Sequence, residues 1–157
     1  MVKASMQDFL QSGQLGPIRL GMSRTQVREL LGDPDDIGGT SRKYRVPATW
    51  KYGDIELHYE RGKDQLVLIH ADDFNVLSGG RAIDLDPWII RGGVSLEEVQ
   101  AQLQAVHIAY QFKEWPYGDN VIVLNVGRYV QLSFLHSPEP SNSRRTGLYS
   151  ISCSEQL

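Results

Sequence analysis

The sequence predicts an α+β fold in which a helix followed by three antiparallel strands occurs twice. The two units together build a mostly antiparallel six-stranded sheet with its helices on one face. Two observations carry this expectation: a duplicated helix start, and a change of hydrophobic period from 3.6 to 2 after each copy. Ile18, Arg19, Gly21, Ser23, Val27 and Leu31 recur 72 positions later as Ile90, Arg91, Gly93, Ser95, Val99 and Leu103. Met22 becomes Val94 and Gln26 becomes Glu98, so chemical character persists where identity does not.

In the first copy Ser23 is placed to cap a helix while Gln26, three residues on, reaches back to the cap, as a capping box requires. Met22 and Val27 form the accompanying hydrophobic staple. Val27, Leu30 and Leu31 give an apolar stripe, and Gly32-Asp33-Pro34 stops the helix. The second copy offers Ser95 with Glu98, Val94 with Val99, and a stripe of Val99, Leu103 and Val106. Downstream, Ile55, Leu57 and Tyr59 alternate with polar neighbours, as do Val130, Leu132 and Phe134. Trp50 to Tyr52 with a turn at Gly53-Asp54, and Leu66 to Ala71 after Arg61 to Asp64, complete the first set of strands. Val121 to Leu124 with a turn at Val126-Gly127, and Leu148 to Ser152 after the polar loop Ser137 to Thr146, complete the second. A short helix from Ser5 to Ser12, ended by Gly13, precedes the first unit.

The units span residues 15–72 and 87–153, joined by a linker from Asp73 to Asp86 that contains Ser78-Gly79-Gly80. About 70 residues per unit would give only a thin core, so residues 1–157 are expected to fold as one domain. The apolar share of 41%, charged share of 22% and net charge of −3 are those of an ordinary globular protein, with no field strong enough to favour nucleic acid or an anionic membrane. Arg42, Lys43 and Arg45 form one small basic cluster, read as a solvated loop. No run approaches the roughly 18 apolar residues of a membrane span, and Met1 to Leu10 lack the apolar centre of a signal peptide, so a cytoplasmic location is expected. Cys153 is the only cysteine, which excludes a disulfide framework within the chain.

Gly21-Met22-Ser23, Gln26-Val27, Leu30 to Pro34 and Trp50-Lys51-Tyr52 resemble the opening of the SmpA/OmlA (BamE) domain. The resemblance covers residues 15–70 and, more faintly, 88–152; the doubled plan is similar to the tandem repeat of β-lactamase inhibitor proteins. The lipobox cysteine and signal peptide of the outer-membrane lipoproteins have no counterpart here, nor do the inhibitors' disulfides and signal peptides. What remains is similar to cytoplasmic bacterial proteins, some of them suspected immunity proteins of toxin systems. The resemblance implies a protein-binding role and supplies no catalytic residue.

The residues themselves give the same expectation. No serine sits in a nucleophile elbow, and Gly38-Gly39, Gly79-Gly80 and Gly92-Gly93 lack the phosphate-loop pattern; Gly92-Gly93 opens a helix, a place for an anion, but a turn into the cap is the simpler account. His58 and His70, on strands expected to be neighbours, have Asp72 and Asp73 close by, a donor set suited to a metal. His58 falls on a polar strand face, which favours an ordinary surface histidine, and no metal or other cofactor is expected. With the alternating apolar residues turned to the helices, the opposite face carries Glu56, His58, Tyr129, Gln131 and Ser133, a mixture suited to protein recognition. A rival surface is the pair of loops holding Trp115 and Tyr117 and the stretch Ser137 to Thr146, where Pro116 would present large aromatics. The expected function is a non-catalytic binding module, an immunity or inhibitor protein for a partner protein. The alternatives are a metal-dependent or hydrolytic enzyme on the open sheet face and a structural homodimer.

Overall fold

The computed structural model describes residues 1–113, 120–136 and 146–155. Its elements are β1 (Val2–Ser5), α1 (Met6–Ser12), α2 (Arg24–Leu31), β2 (Asp36–Gly38), β3 (Thr49–Tyr52), β4 (Ile55–Tyr59), β5 (Leu66–Asp72), β6 (Ile83–Asp86), α3 (Leu96–Ala105), β7 (Tyr110–Lys113), β8 (Val121–Val126), β9 (Val130–Leu135) and β10 (Gly147–Cys153). Eight strands form one antiparallel sheet in the order β2-β3-β4-β5-β10-β9-β8-β7, and β1 pairs with β6 in a separate parallel pair. The chain is therefore a mixed α+β protein. Its centre is the pairing of β5 with β10, in which Ile69 faces Cys153 and Ala71 faces Ile151.

The expected six-stranded sheet is corrected to eight strands. The additions, β2 and β7, are the two edges, and each bonds to a single neighbour. β2 has three residues directly after the helix stop, and β7 has four, too few for alternation to stand out from the flanking segments. The linker is corrected as well: its last residues form β6, which pairs with β1 residue for residue from Val2↔Ile83 to Ser5↔Asp86. Its Gly-rich part is fastened to the β3–β4 turn, where Asp54 N–H donates to Ser78 C=O and Ser78 N–H to the Asp54 carboxylate, both at 2.8 Å. Asp35 holds the same corner, accepting from Gly53 N–H at 2.9 Å and Arg81 Nε at 3.2 Å. The Gly53 bond, with a smaller contribution from Arg81, lowers the Asp35 pKa below its usual value.

Both helix starts behave as the sequence predicts at the cap and diverge one turn later. Ser23 Oγ accepts from Gln26 N–H at 3.2 Å and Gln26 Oε1 accepts from Ser23 N–H at 3.0 Å, a complete capping box. Ser95 Oγ accepts from Glu98 N–H at 3.1 Å, but the Glu98 carboxylate pairs with Arg91 at 2.9 Å. A charged carboxylate is drawn to the guanidinium seven residues back, whereas the neutral amide of Gln26 gains more from the cap. Ser23→Ala and Ser95→Ala are each expected to lower stability by about 1 kcal/mol in urea unfolding. An unchanged midpoint at both positions would show that the caps do not hold these helices.

Ahead of each cap the backbone is tied to a strand in the same way. Gly21 N–H donates to Leu66 C=O and Leu66 N–H to Met22 C=O, while Gly93 N–H donates to Leu148 C=O and Leu148 N–H to Val94 C=O, at 2.8–2.9 Å. These ties set α2 over the start of β5 and α3 over the start of β10. Met6, Phe9 and Leu10 of α1, Val27 and Leu31 of α2, and Val99 and Leu103 of α3 share one buried cluster with Ile55, Leu57, Tyr59, Val130, Leu132 and Phe134. Leu30, expected in the stripe, stays 40% exposed, because it lies about 60° around the helix from Val27, on the side away from Leu31. Trp50 is buried, and Trp88 packs partly buried against the same cluster.

Candidate functional site: the polar face of the sheet

Strand alternation sends every second side chain away from that cluster, and the strand registers align these side chains across the sheet. The result is an unbroken row through all eight strands: Asp36, Lys51, Glu56, His70, Ser152, Gln131, Asn125 and Gln111, each directly paired with the next. Every member is polar. The six on interior strands are half-buried, and the two on the edges are exposed. Shorter rows flank it, Thr49↔His58↔Leu68 on one side and Asp72↔Ser150↔Ser133↔Val123↔Lys113 on the other.

Neighbours in these rows hold one another in place. Glu56 Oε2 lies 2.9 Å from His58 Nε2, and Glu56 Oε1 lies 3.8 Å from Lys51 Nζ. The second ring nitrogen of His58 is 3.2 Å from Thr49 Oγ1, so both imidazole nitrogens are occupied. His70 Nδ1 meets Ser152 Oγ at 3.0 Å and its Nε2 lies 3.4 Å from Asp72 Oδ2. Gln131 Nε2 donates to Asn125 Oδ1 at 3.1 Å. Side chains fixed this way lose little rotamer freedom when another surface meets them.

Sequence reasoning placed Glu56, His58, Gln131 and Ser133 on one face, and the structure brings all four there. Tyr129 is corrected. It lies in the turn before β9, its ring packs beside Gly13 at the end of α1, and it is partly buried against the core cluster. Strand alternation does not extend into a turn, so its side chain follows the corner of the fold. Trp115, Tyr117 and the loop residues 137–145 lie outside the described residues. Lys51, Asn125, Ser152, Gln111 and Asp36 were missed as members of the face. Alternation marks the first three, whereas the edge residues become visible only through pairing.

His58 and His70 are neighbours as expected, ring centroids 6.2 Å apart and edge to face. Their nitrogens point to different partners, and among the described residues no three His, Cys, Asp or Glu side chains converge on a point that could hold a metal ion. Cys153 is buried, donates from Sγ to Gly13 C=O at 3.4 Å, and has its pKa pushed up to about 11 by burial and, secondarily, by the Glu155 charge. At neutral pH such a thiol is almost wholly protonated and is a poor nucleophile. At Gly92-Gly93 both N–H groups are committed, to Asn75 C=O and Leu148 C=O, each at 2.9 Å, which leaves neither for an anion.

Comparison of the chain with protein-family models, with curated proteins and with solved structures finds no match.

Proposed function

We propose that this protein is a non-catalytic binding module whose working surface is the polar sheet face, and that it acts as an immunity or inhibitor protein on a partner protein. The observation that carries the reading is the eight-residue polar row, half-buried and cross-bonded through the interior strands. A face of this kind offers donors, acceptors and both charges over a broad area, which protein recognition uses and a small-substrate enzyme does not. The likeness to the tandem BamE-type plan supports the same role. It is strengthened by the matching backbone ties at Gly21-Met22 and Gly93-Val94, and by the parallel order of a helix and four strands in each half.

The test begins with a partner captured from the native cell and re-measured with purified components. Glu56→Ala/His58→Ala/Gln131→Ala is expected to weaken binding at least about tenfold at unchanged thermal stability. Binding that survives this triple change but fails with Trp115→Ala/Tyr117→Ala would move the surface to the loops and overturn the reading. A solution mass of twice the chain, lost with the same triple change, would identify the face as a homodimer contact instead.

A further inference from the structure

The basic cluster at residues 42–45 does not stand alone in the folded chain. The loop between β2 and β3 lies against the β4–β5 turn and the start of α2, and the three enclose an open cavity of about 340 Å³. Arg24, Lys43, Arg45, Arg61 and Lys63 line it, against two carboxylates, Glu60 and Asp64. Three positive charges are left uncompensated there, in a chain whose net charge is −3. Asp64 is already committed: Arg24 holds it at 2.8 Å, and the Arg24 backbone N–H donates to the same oxygen at 3.1 Å. Among the described residues none of Lys43, Arg45, Arg61 or Lys63 has a carboxylate within ion-pair distance.

Tyr44 gathers part of this charge. Arg61 Cζ lies 4.3 Å and Lys43 Nζ 5.3 Å from its ring centre. The loop is closed on itself by Ser41 N–H donating to Tyr44 C=O at 2.7 Å and Tyr44 N–H donating to Ser41 Oγ at 3.1 Å. Cation–π contacts of this kind recover only part of the cost of crowding like charges. An anion in the cavity recovers the rest.

We propose that this cavity binds a small organic phosphate, independently of the sheet face. Three uncompensated charges match a ligand with two or more negative charges, and two guanidinium groups suit bidentate contact with phosphate oxygens. The volume is at the small end of ligand sites, near that of a mononucleotide. Tyr44 and Val46, 37% and 64% exposed, offer apolar contact to the rest of such a molecule. A nucleic-acid strand is disfavoured because it would meet the acidic remainder of the chain, whereas a compact anion feels chiefly the charges within a Debye length of about 8 Å.

Calorimetric titration of the whole protein with orthophosphate, pyrophosphate and ADP tests this, at about 50 mM and about 500 mM salt. Pyrophosphate is expected to bind more tightly than orthophosphate and to weaken at the higher salt. Arg45→Gln/Arg61→Gln should weaken it at least about tenfold, and Lys63→Gln by a smaller factor, with melting midpoints unchanged and Lys3→Gln without effect. ADP tighter than pyrophosphate would assign a nucleotide, and equal affinity would assign the diphosphate group itself; both support the site. No heat with any of the three, affinity unaffected by Arg45→Gln/Arg61→Gln, or tighter binding of a single-stranded RNA than of every small phosphate would overturn it.

Discussion

Gly92→Ala is expected to cost about 3 kcal/mol or more, through collision alone. A Cβ at this position would run into the Phe74 carbonyl oxygen and would sit 3.0 Å from the Phe74 carbonyl carbon, backbone atoms that no rotamer change can move. The segment is also pinned by Gly92 N–H donating to Asn75 C=O, and Phe74 is itself buried in the core cluster. Relief would therefore require shifting the chain that leads into α3. Gly21→Ala provides the contrast: a Cβ there meets nothing within 4 Å, and only its φ of 89° opposes a side chain. That change should cost about 1–2 kcal/mol. Equal losses for the two variants in chemical denaturation would mean that the chain around Gly92 shifts as cheaply as Gly21 bears a side chain at its left-handed φ, and that the collision is not decisive.

The second large effect is expected at Tyr52, the largest of the fully buried side chains among the described residues. Tyr52→Ala should cost about 3–5 kcal/mol through the cavity left beneath α2. Tyr52→Phe keeps the ring and loses only the bond from its hydroxyl to Gly32 C=O at 2.8 Å, so about 1–2 kcal/mol is expected. Tyr59→Phe should be neutral or slightly stabilising, because the Tyr59 hydroxyl is buried with no hydrogen-bond partner among the described residues. The three midpoints rank the contributions of volume, bond and unpaired hydroxyl; a Tyr59→Phe loss as large as that of Tyr52→Phe would refute the assignment. Burial, in first place, pushes the Tyr52 phenol up to about 12 and raises Tyr59 as well. A phenol with a raised folded-state pKa contributes stability that is fully present below its ordinary value near 10. That contribution is lost as pH rises toward the folded value. Stability should therefore fall between about pH 10 and 12, and less steeply in Tyr52→Phe.

Half of the candidate surface was legible before folding and half was not. Glu56, His58, Gln131 and Ser133 declare themselves because each alternates with large apolar residues inside one strand, and alternation assigns a face without reference to any partner. That these residues share a single row with Asp36 and Gln111 at the far edges is not a property of any strand. It follows from the seam between β5 and β10, which brings Ser152 opposite His70 across 82 residues of sequence.

The sequence by itself determined what depends on near neighbours: the two helix starts with their serine caps, the Gly13 stop after α1, the Gly53 turn, and the alternating strands. Each is set by interactions within about four residues, which any copy of the segment would carry. Tertiary structure decided what depends on separations of tens of residues. The short edge strands acquire order only by bonding to a neighbour. Tyr129 turns inward because α1 ends beside it. Lys43 and Arg45, unremarkable as part of a loop, gain Arg61, Lys63 and Arg24 as neighbours only when the β4–β5 turn and α2 close upon them. Charge, unlike periodicity, acts through space, and its consequences are fixed by which segments the fold makes adjacent.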